Sequence, residues 1–265
     1  MSSGNRLSVS IQPLDYADIP TCSSITAEAF SRDPHTTVKN LGQEPYDMYS
    51  ISRDEFLRCL EKKTYVFCKA VDKETGEIVA HVGWAFRGLD PSLVPWSGPR
   101  DAKLVEEQQE QGMSDGSKSQ DKKDGREEKE DDPIKRLHAL EDADMEFWIT
   151  KIVPADKPCI FLVGLIVSPL HQSRGVGSAL IRHGNAIADN LGLDIWVHSS
   201  HQAYEAYKKS GFKTVKELDI DLDEYAPRPP EEGEEVMGEK GSGKWGRYII
   251  RYMKRTPKEP VGSGS

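Results

Sequence analysis

The chain has 265 residues, 37% hydrophobic, 30% charged and 8% aromatic, with a formal net charge of −9. That length suits one large domain or two small ones, and the apolar share is low for a compact fold. The longest apolar run, Cys159 to Val167, falls far short of the about 20 residues of a membrane helix; the start, MSSGNRLSVS, lacks a signal-peptide core; and four cysteines without CxxC spacing predict reduced thiols in the cytoplasm or nucleus and no metal site.

The acidity is local. Residues 101–132 carry 12 acidic and 6 basic residues, and 221–239 carry 8 acidic residues against Arg228, so the remainder is mildly basic. No concentrated Lys/Arg run supports nucleic-acid binding. In chain order, residues 7–13 alternate as a short strand. Ile19, Cys22, Ile25 and Ala29 recur at helical spacing, predicting a helix from Asp15 to Phe30. Residues 31–50 read as irregular, with Asp33-Pro34 and Glu44-Pro45 as breakers. Ser52 to Lys63 reads as a second helix, capped by Ser52 with Glu55 three residues on. TYVFCKAV and EIVAHVGWAF around KETG form a hairpin pattern.

Residues 90–132 cannot bury enough to offset their ordering entropy and read as a charged, disordered insertion. Asp132-Pro133 then starts a helix, with Ile134, Leu137, Leu140, Phe147 and Trp148 on one face. CIFLVGLIV reads as a strand buried on both faces. An amphipathic helix follows, ended by Gly192. LDIWVHS, a short helix at 202–209, FKTVKELDI, an acidic loop at 221–242 and the closing strand WGRYIIRYMKR complete the domain. The expectation is a single domain over 1–258, with 259–265 a flexible tail. Alternating strands and helices imply right-handed crossovers and some parallel pairing.

Gln172-Ser173-Arg174-Gly175-Val176-Gly177 lies between the buried strand and the amphipathic helix. Glycines let the backbone turn tightly and approach a ligand, and the helix start offers unpaired N–H groups and a positive dipole end. The segment is therefore either an ordinary glycine turn or an anion site sized for a diphosphate. With only two glycines and no Gly-Lys-Ser/Thr, it is neither a dinucleotide fingerprint nor a P-loop. Further on stands Tyr207-Lys208-Lys209-Ser210-Gly211-Phe212.

Together these motifs resemble the GNAT N-acetyltransferase superfamily, whose pattern is a strand, then Gln/Arg-x-x-Gly-x-Gly/Ala opening a helix, then Tyr-x-Lys-x-Gly-Phe. The resemblance covers roughly 7–86 and 133–255. It implies an α/β GNAT fold: a mixed central sheet of six to seven strands, helices on both faces and a splay between the two central parallel strands. It implies acetyl-CoA as co-substrate, no metal, and an amine acceptor on a small molecule or a protein.

On these residues, the resemblance places the diphosphate on the backbone of Gln172, Ser173, Arg174, Gly175, Val176, Gly177 and Ser178. Leu165, Ile166 and Val167 would pair with the pantetheine arm as an added strand does. The Leu165 N–H would face the thioester carbonyl, a contact worth about 3 kcal/mol to a developing oxyanion. Tyr207 would protonate the departing thiolate, its phenol being matched to a thiol; otherwise it is an aromatic packed under the sheet. Ser200 stands where many members carry Asn, so its pantetheine contact is in question. Phe161 stands where histone-type members carry a Glu base and cannot replace it.

A base is still needed, because an amine must lose a proton to attack. His198, ending its strand beside the splay, is the first candidate; Glu146, His201 and His35 follow. Trp84 and Trp148 fit the core better than an acceptor pocket. By analogy of position, residues 31–50 would form the acceptor wall. The reading is direct acetyl transfer to a primary amine, the alternatives being an acyl-CoA-binding regulatory module or an interaction protein acting through the insertion.

Overall fold

A computed structural model describes residues 6–44, 46–102 and 132–258. Seven strands form one mixed sheet. In spatial order they are β1 (Val9–Pro13), β2 (Tyr65–Asp72), β3 (Ile78–Arg87), β4 (Cys159–Val167), β5 (Asp194–Ser199), β7 (Arg247–Arg255) and β6 (Lys213–Asp221). Every neighbouring pair is antiparallel except β4 and β5, which run parallel. The sheet, its parallel pair and the flanking helices are those of the α/β fold expected from the motifs.

Among the described residues six α-helices flank it: α1 (Ile19–Phe30), α2 (Pro34–Lys39), α3 (Met48–Cys59), α4 (Pro133–Phe147), α5 (Val176–Leu191) and α6 (Tyr204–Lys209). Strand alternation divides the core. Ala80, Val82 and Trp84 of β3 and Ile160 and Leu162 of β4 pack with Leu180 and Ile181 of α5. Phe67 of β2 packs on the other face with Cys22 of α1 and Phe56 and Cys59 of α3. A third cluster gathers Trp148, Trp196, Trp245, Tyr248 and Tyr252 beneath α4. Trp84 and Trp148, 1% and 3% exposed, are core residues.

Several boundaries differ from the sequence reading. Asp33-Pro34 starts a helix: the Asp33 carboxylate accepts from the Thr36 N–H at 2.9 Å, and Pro34 takes the first helical position, where its missing N–H costs nothing. So 31–50 contains α2 and the start of α3. The latter begins at Met48, capped by Asp47, which accepts from the Tyr49 N–H at 3.0 Å. Ser52 therefore lies inside the helix rather than at its cap.

The loop after β3 is tied down through residue 102. Arg100 pairs with Asp15, and the Asp101 carboxylate accepts from the Tyr16 and Ala17 N–H groups at 2.8 Å each. Residues 103–131, most of the expected insertion, lie outside the described residues, as does the tail from 259. In the acidic loop the charges serve the fold. Asp223 accepts from the Trp245 and Gly246 N–H groups, Arg228 pairs with Glu234, and the Trp245 indole donates to the Arg228 carbonyl at 2.8 Å.

Candidate active site

The site begins with an irregularity in β4. Leu162 pairs with Trp84 and Gly164 with Gly83, leaving Val163 as an extra residue. Such a bulge bends its strand and ends regular pairing. Pairing of β4 with β5 covers only Cys159–Leu162 against Asp194–Val197, so the two strands part at the bulge. Beyond it β5 continues along β7, with His198 opposite Tyr252 and Ser199 opposite Arg251. The splay expected from the resemblance is thus present, and it starts at Val163.

The end of β4 meets the glycine loop. Ser173 and Gly175 hold positive φ, 59° and 85°, which Gly adopts freely and Ser does not. The Gln172 amide donates to the Val167 carbonyl at 3.2 Å. A Cβ on Gly177 would lie 3.5 Å from Val167 Cγ2 and 3.6 Å from Leu165 Cδ2, so α5 starts in contact with the splayed strand. The Ala179 N–H bonds the Gly175 carbonyl, leaving the N–H groups of Val176, Gly177 and Ser178 ahead of the helical ladder. These amides therefore stand beside the edge of β4 that β5 leaves unpaired after Leu162.

The splay opens into a cavity of about 680 Å³. Leu165, Ile166, His198, Ser200 and Tyr207 line it, whereas Val167 and residues 172–178 do not and remain at the α5 end. Tyr207 packs on Phe212 with ring centroids 5.4 Å apart, and burial pushes its hydroxyl well above the ordinary phenol pKa. His198 is lowered to about 4, chiefly by desolvation. Its side chain is exposed and lines the cavity. It lies 5.2 Å from the Tyr252 ring. The Ser200 hydroxyl accepts from the Ala203 N–H at 3.3 Å.

Of the weaker base candidates, Glu146 is exposed and away from the cavity. His201 packs on Tyr248. His35 lines the cavity and is held by Glu141. Phe161 packs against Trp148 and under Arg87.

Periodicity does not reveal which partners meet in two groupings of the wall. In one, Glu141 of α4 takes His35 on one carboxylate oxygen and Lys39 on the other. Burial works to raise its pKa, but the two partners outweigh it and hold it down at about 2. His35 stacks on Tyr248, whose hydroxyl donates to Asp33 at 3.1 Å. In the other, the Thr26 hydroxyl stands 2.8 Å from His81 Nε2 and 3.2 Å from the Ser52 hydroxyl, and burial lowers His81 to about 4. Asp33 before Pro34 was one usable signal for these groups; the other was Glu141, a carboxylate seven residues after Ile134 and four after Leu137, on the apolar face of α4.

The four cysteines are buried free thiols outside the cavity lining. Among the described residues no His, Cys, Asp or Glu cluster could hold a metal, and no helix is long and apolar enough to cross a membrane.

Comparison with known proteins agrees with this geometry. Residues 119–212 match the model of the acetyltransferase (GNAT) family. Arylalkylamine N-acetyltransferase 2 from Aedes aegypti superposes with a TM-score of 0.52 at 12% identity, covering 94% of this chain and 99% of that one. The putative arylalkylamine N-acetyltransferase 7 from the yellow fever mosquito gives 0.52 at 14% identity, covering 93% and 86%. A structure described as histone acetyltransferase HPA2 and related acetyltransferase from Corynebacterium glutamicum gives 0.49 at 19%, covering 97% and 100%. No curated protein matches. The family match spans the splayed strand, the glycine loop and Tyr207, about a third of the chain, and the two mosquito structures show the same fold: residues 119–212 are similar to the GNAT acetyltransferase family.

Proposed function

We propose that this protein is an acetyl-CoA-dependent N-acetyltransferase that passes the acetyl group directly to a primary amine. The observation that carries this reading is the splay at Val163, which leads from the α5 amides to a cavity holding both Tyr207 and His198. When bound, acetyl-CoA supplies an activated thioester. The chain's own residues have three tasks. N–H groups of the β4 segment after Val163 offer hydrogen bonds to an acyl oxygen as it gains charge, in a site shielded from water. Tyr207 Oη keeps its proton throughout the working pH range and is the donor for a leaving sulfur. His198, neutral above about pH 5, presents a lone pair to an incoming ammonium and relays its proton to solvent water at the cavity mouth, which leaves the free amine to attack. No cysteine lines the cavity, which suits direct transfer rather than a covalent acetyl-enzyme.

The test combines calorimetry with coenzyme A and a thiol-release assay with acetyl-CoA over a panel of amines. Wild-type protein is expected to bind CoA and turn over at least one amine. Tyr207→Phe should lose about 100-fold or more in kcat with little change in the acetyl-CoA KM. CoA binding with no turnover of any amine would favour a binding module, and no CoA binding would reject the reading. An unchanged kcat/KM and pH profile in His198→Ala would remove His198 as the base.

A further inference from the structure

The acceptor wall carries a feature that bears on which amine enters. Lys39, 4% exposed, and Glu141 are both largely out of water. Buried charges are costly unless paired, and this pair joins helices separated by about 100 residues of sequence. From α4 the contacts run without a break: Glu141 to His35 and Lys39 of α2, Lys39 over the Tyr46 ring at 4.3 Å, His35 on Tyr248 at 4.8 Å, and Tyr248 to Asp33 at 3.1 Å. Each of these residues lines the cavity. This side of the cavity, from α4 across α2 to β7, is therefore a cross-braced surface whose parts are held together by buried contacts.

Its inner face is chemically mixed in a specific way. Tyr46, Tyr248, Tyr252, Phe30 and Met145 supply rings and a thioether, surfaces that suit an apolar or aromatic body. Asp142 adds a carboxylate with no ion-pair partner among the described residues. A cavity of about 680 Å³ is of small-molecule size, and its Gly164–Ile166 side belongs to the splayed strand. The remaining space suits a compact guest.

Resting on the transferase reading, we propose that the Glu141 clamp between α2 and α4 fixes a small, ring-lined acceptor chamber, and that the acceptor is a primary monoamine on a compact apolar body rather than a polyamine or a peptide.

The experiment uses the full chain, acetyl-CoA and three probes at matched concentration: 2-phenylethylamine, spermidine and a lysine-containing peptide. The expected kcat/KM for 2-phenylethylamine is at least tenfold above both others. Glu141→Gln should raise its KM at least fivefold and leave the acetyl-CoA KM within twofold. Met145→Trp, which fills the chamber and leaves every clamp residue in place, should weaken 2-phenylethylamine more than the smaller ethylamine, and it keeps the proposal testable if the first variant fails to fold. Equal or better turnover of spermidine or the peptide overturns the proposal while the transferase reading stands. Unchanged acceptor KM in a folded Glu141→Gln overturns the clamp. Failure of wild type to take up coenzyme A in calorimetry overturns the transferase reading and the proposal with it.

Discussion

The buried titratable groups act differently according to what surrounds them. Glu141 stays ionised because two partners meet it, whereas His81 stays neutral because burial outweighs the Cys22 backbone contact that favours its charged form; its Nε2 faces the Thr26 hydroxyl and, through it, Ser52. His81 has consequences for stability. Its folded pKa is about 4 against an ordinary 6.5, so between those values the unfolded chain binds more protons. The contribution, about 3 kcal/mol at most, is fully present above pH 6.5 and is lost as pH falls toward 4. Urea denaturation at pH 7.5, 5.5 and 4.5 should show that decline in wild type and a shallower one in His81→Gln. Parallel curves for the two proteins would exclude His81 as the source. His81 was not legible as a site residue from sequence, because a histidine inside an alternating strand reads simply as one more side chain.

At the scale of elements, the parts with local signals were the readable ones. The hairpin, the helix opened by Asp132-Pro133, the glycine loop and the Gly192 end of α5 each rest on backbone rules acting within a few residues, and the fold keeps them. What escaped depends on distant partners. The start of α3 is the exception, a local cap in which the Asp47 carboxylate accepts from the Tyr49 N–H two residues on, in competition with the Ser52 pattern. The Arg100 and Asp101 latch joins segments 85 residues apart. The Glu141 clamp likewise has no neighbour in sequence that announces it. Packing of α5 on β3 illustrates the same dependence: a Cβ on Gly184 would come within 2.4 Å of the Trp84 indole nitrogen. Gly184→Ala therefore gains helix propensity of up to about 1 kcal/mol but overpacks a buried contact at about 1–3 kcal/mol. A net loss is expected in the urea midpoint, and Trp84→Phe in the same chain should recover part of it. A more stable Gly184→Ala would show that the helix can move away freely.

For the molecule as a whole, the sheet is one continuous seven-strand layer whose two halves cohere only over the short parallel ladder of Cys159–Leu162 with Asp194–Val197. Everything assigned to the site clusters where that ladder stops. The unbroken apolar run CIFLVGLIV concealed this point, since Val163 looks like its neighbours, although 45% of it is exposed. Before Val163 the even-numbered side chains Ile160 and Leu162 face α5; after it the odd-numbered Leu165 and Val167 do. Val163 is thus a parity change written into a single codon's worth of chain. Deleting it would restore strict alternation with every remaining side chain on its present face, allowing β4 to zip along β5. The shortened protein should keep a cooperative thermal transition and lose at least tenfold in coenzyme A affinity by calorimetry; retained affinity would mean that the gap is held open from elsewhere. One residue would then separate a sheet that admits a ligand from one that is merely a sheet.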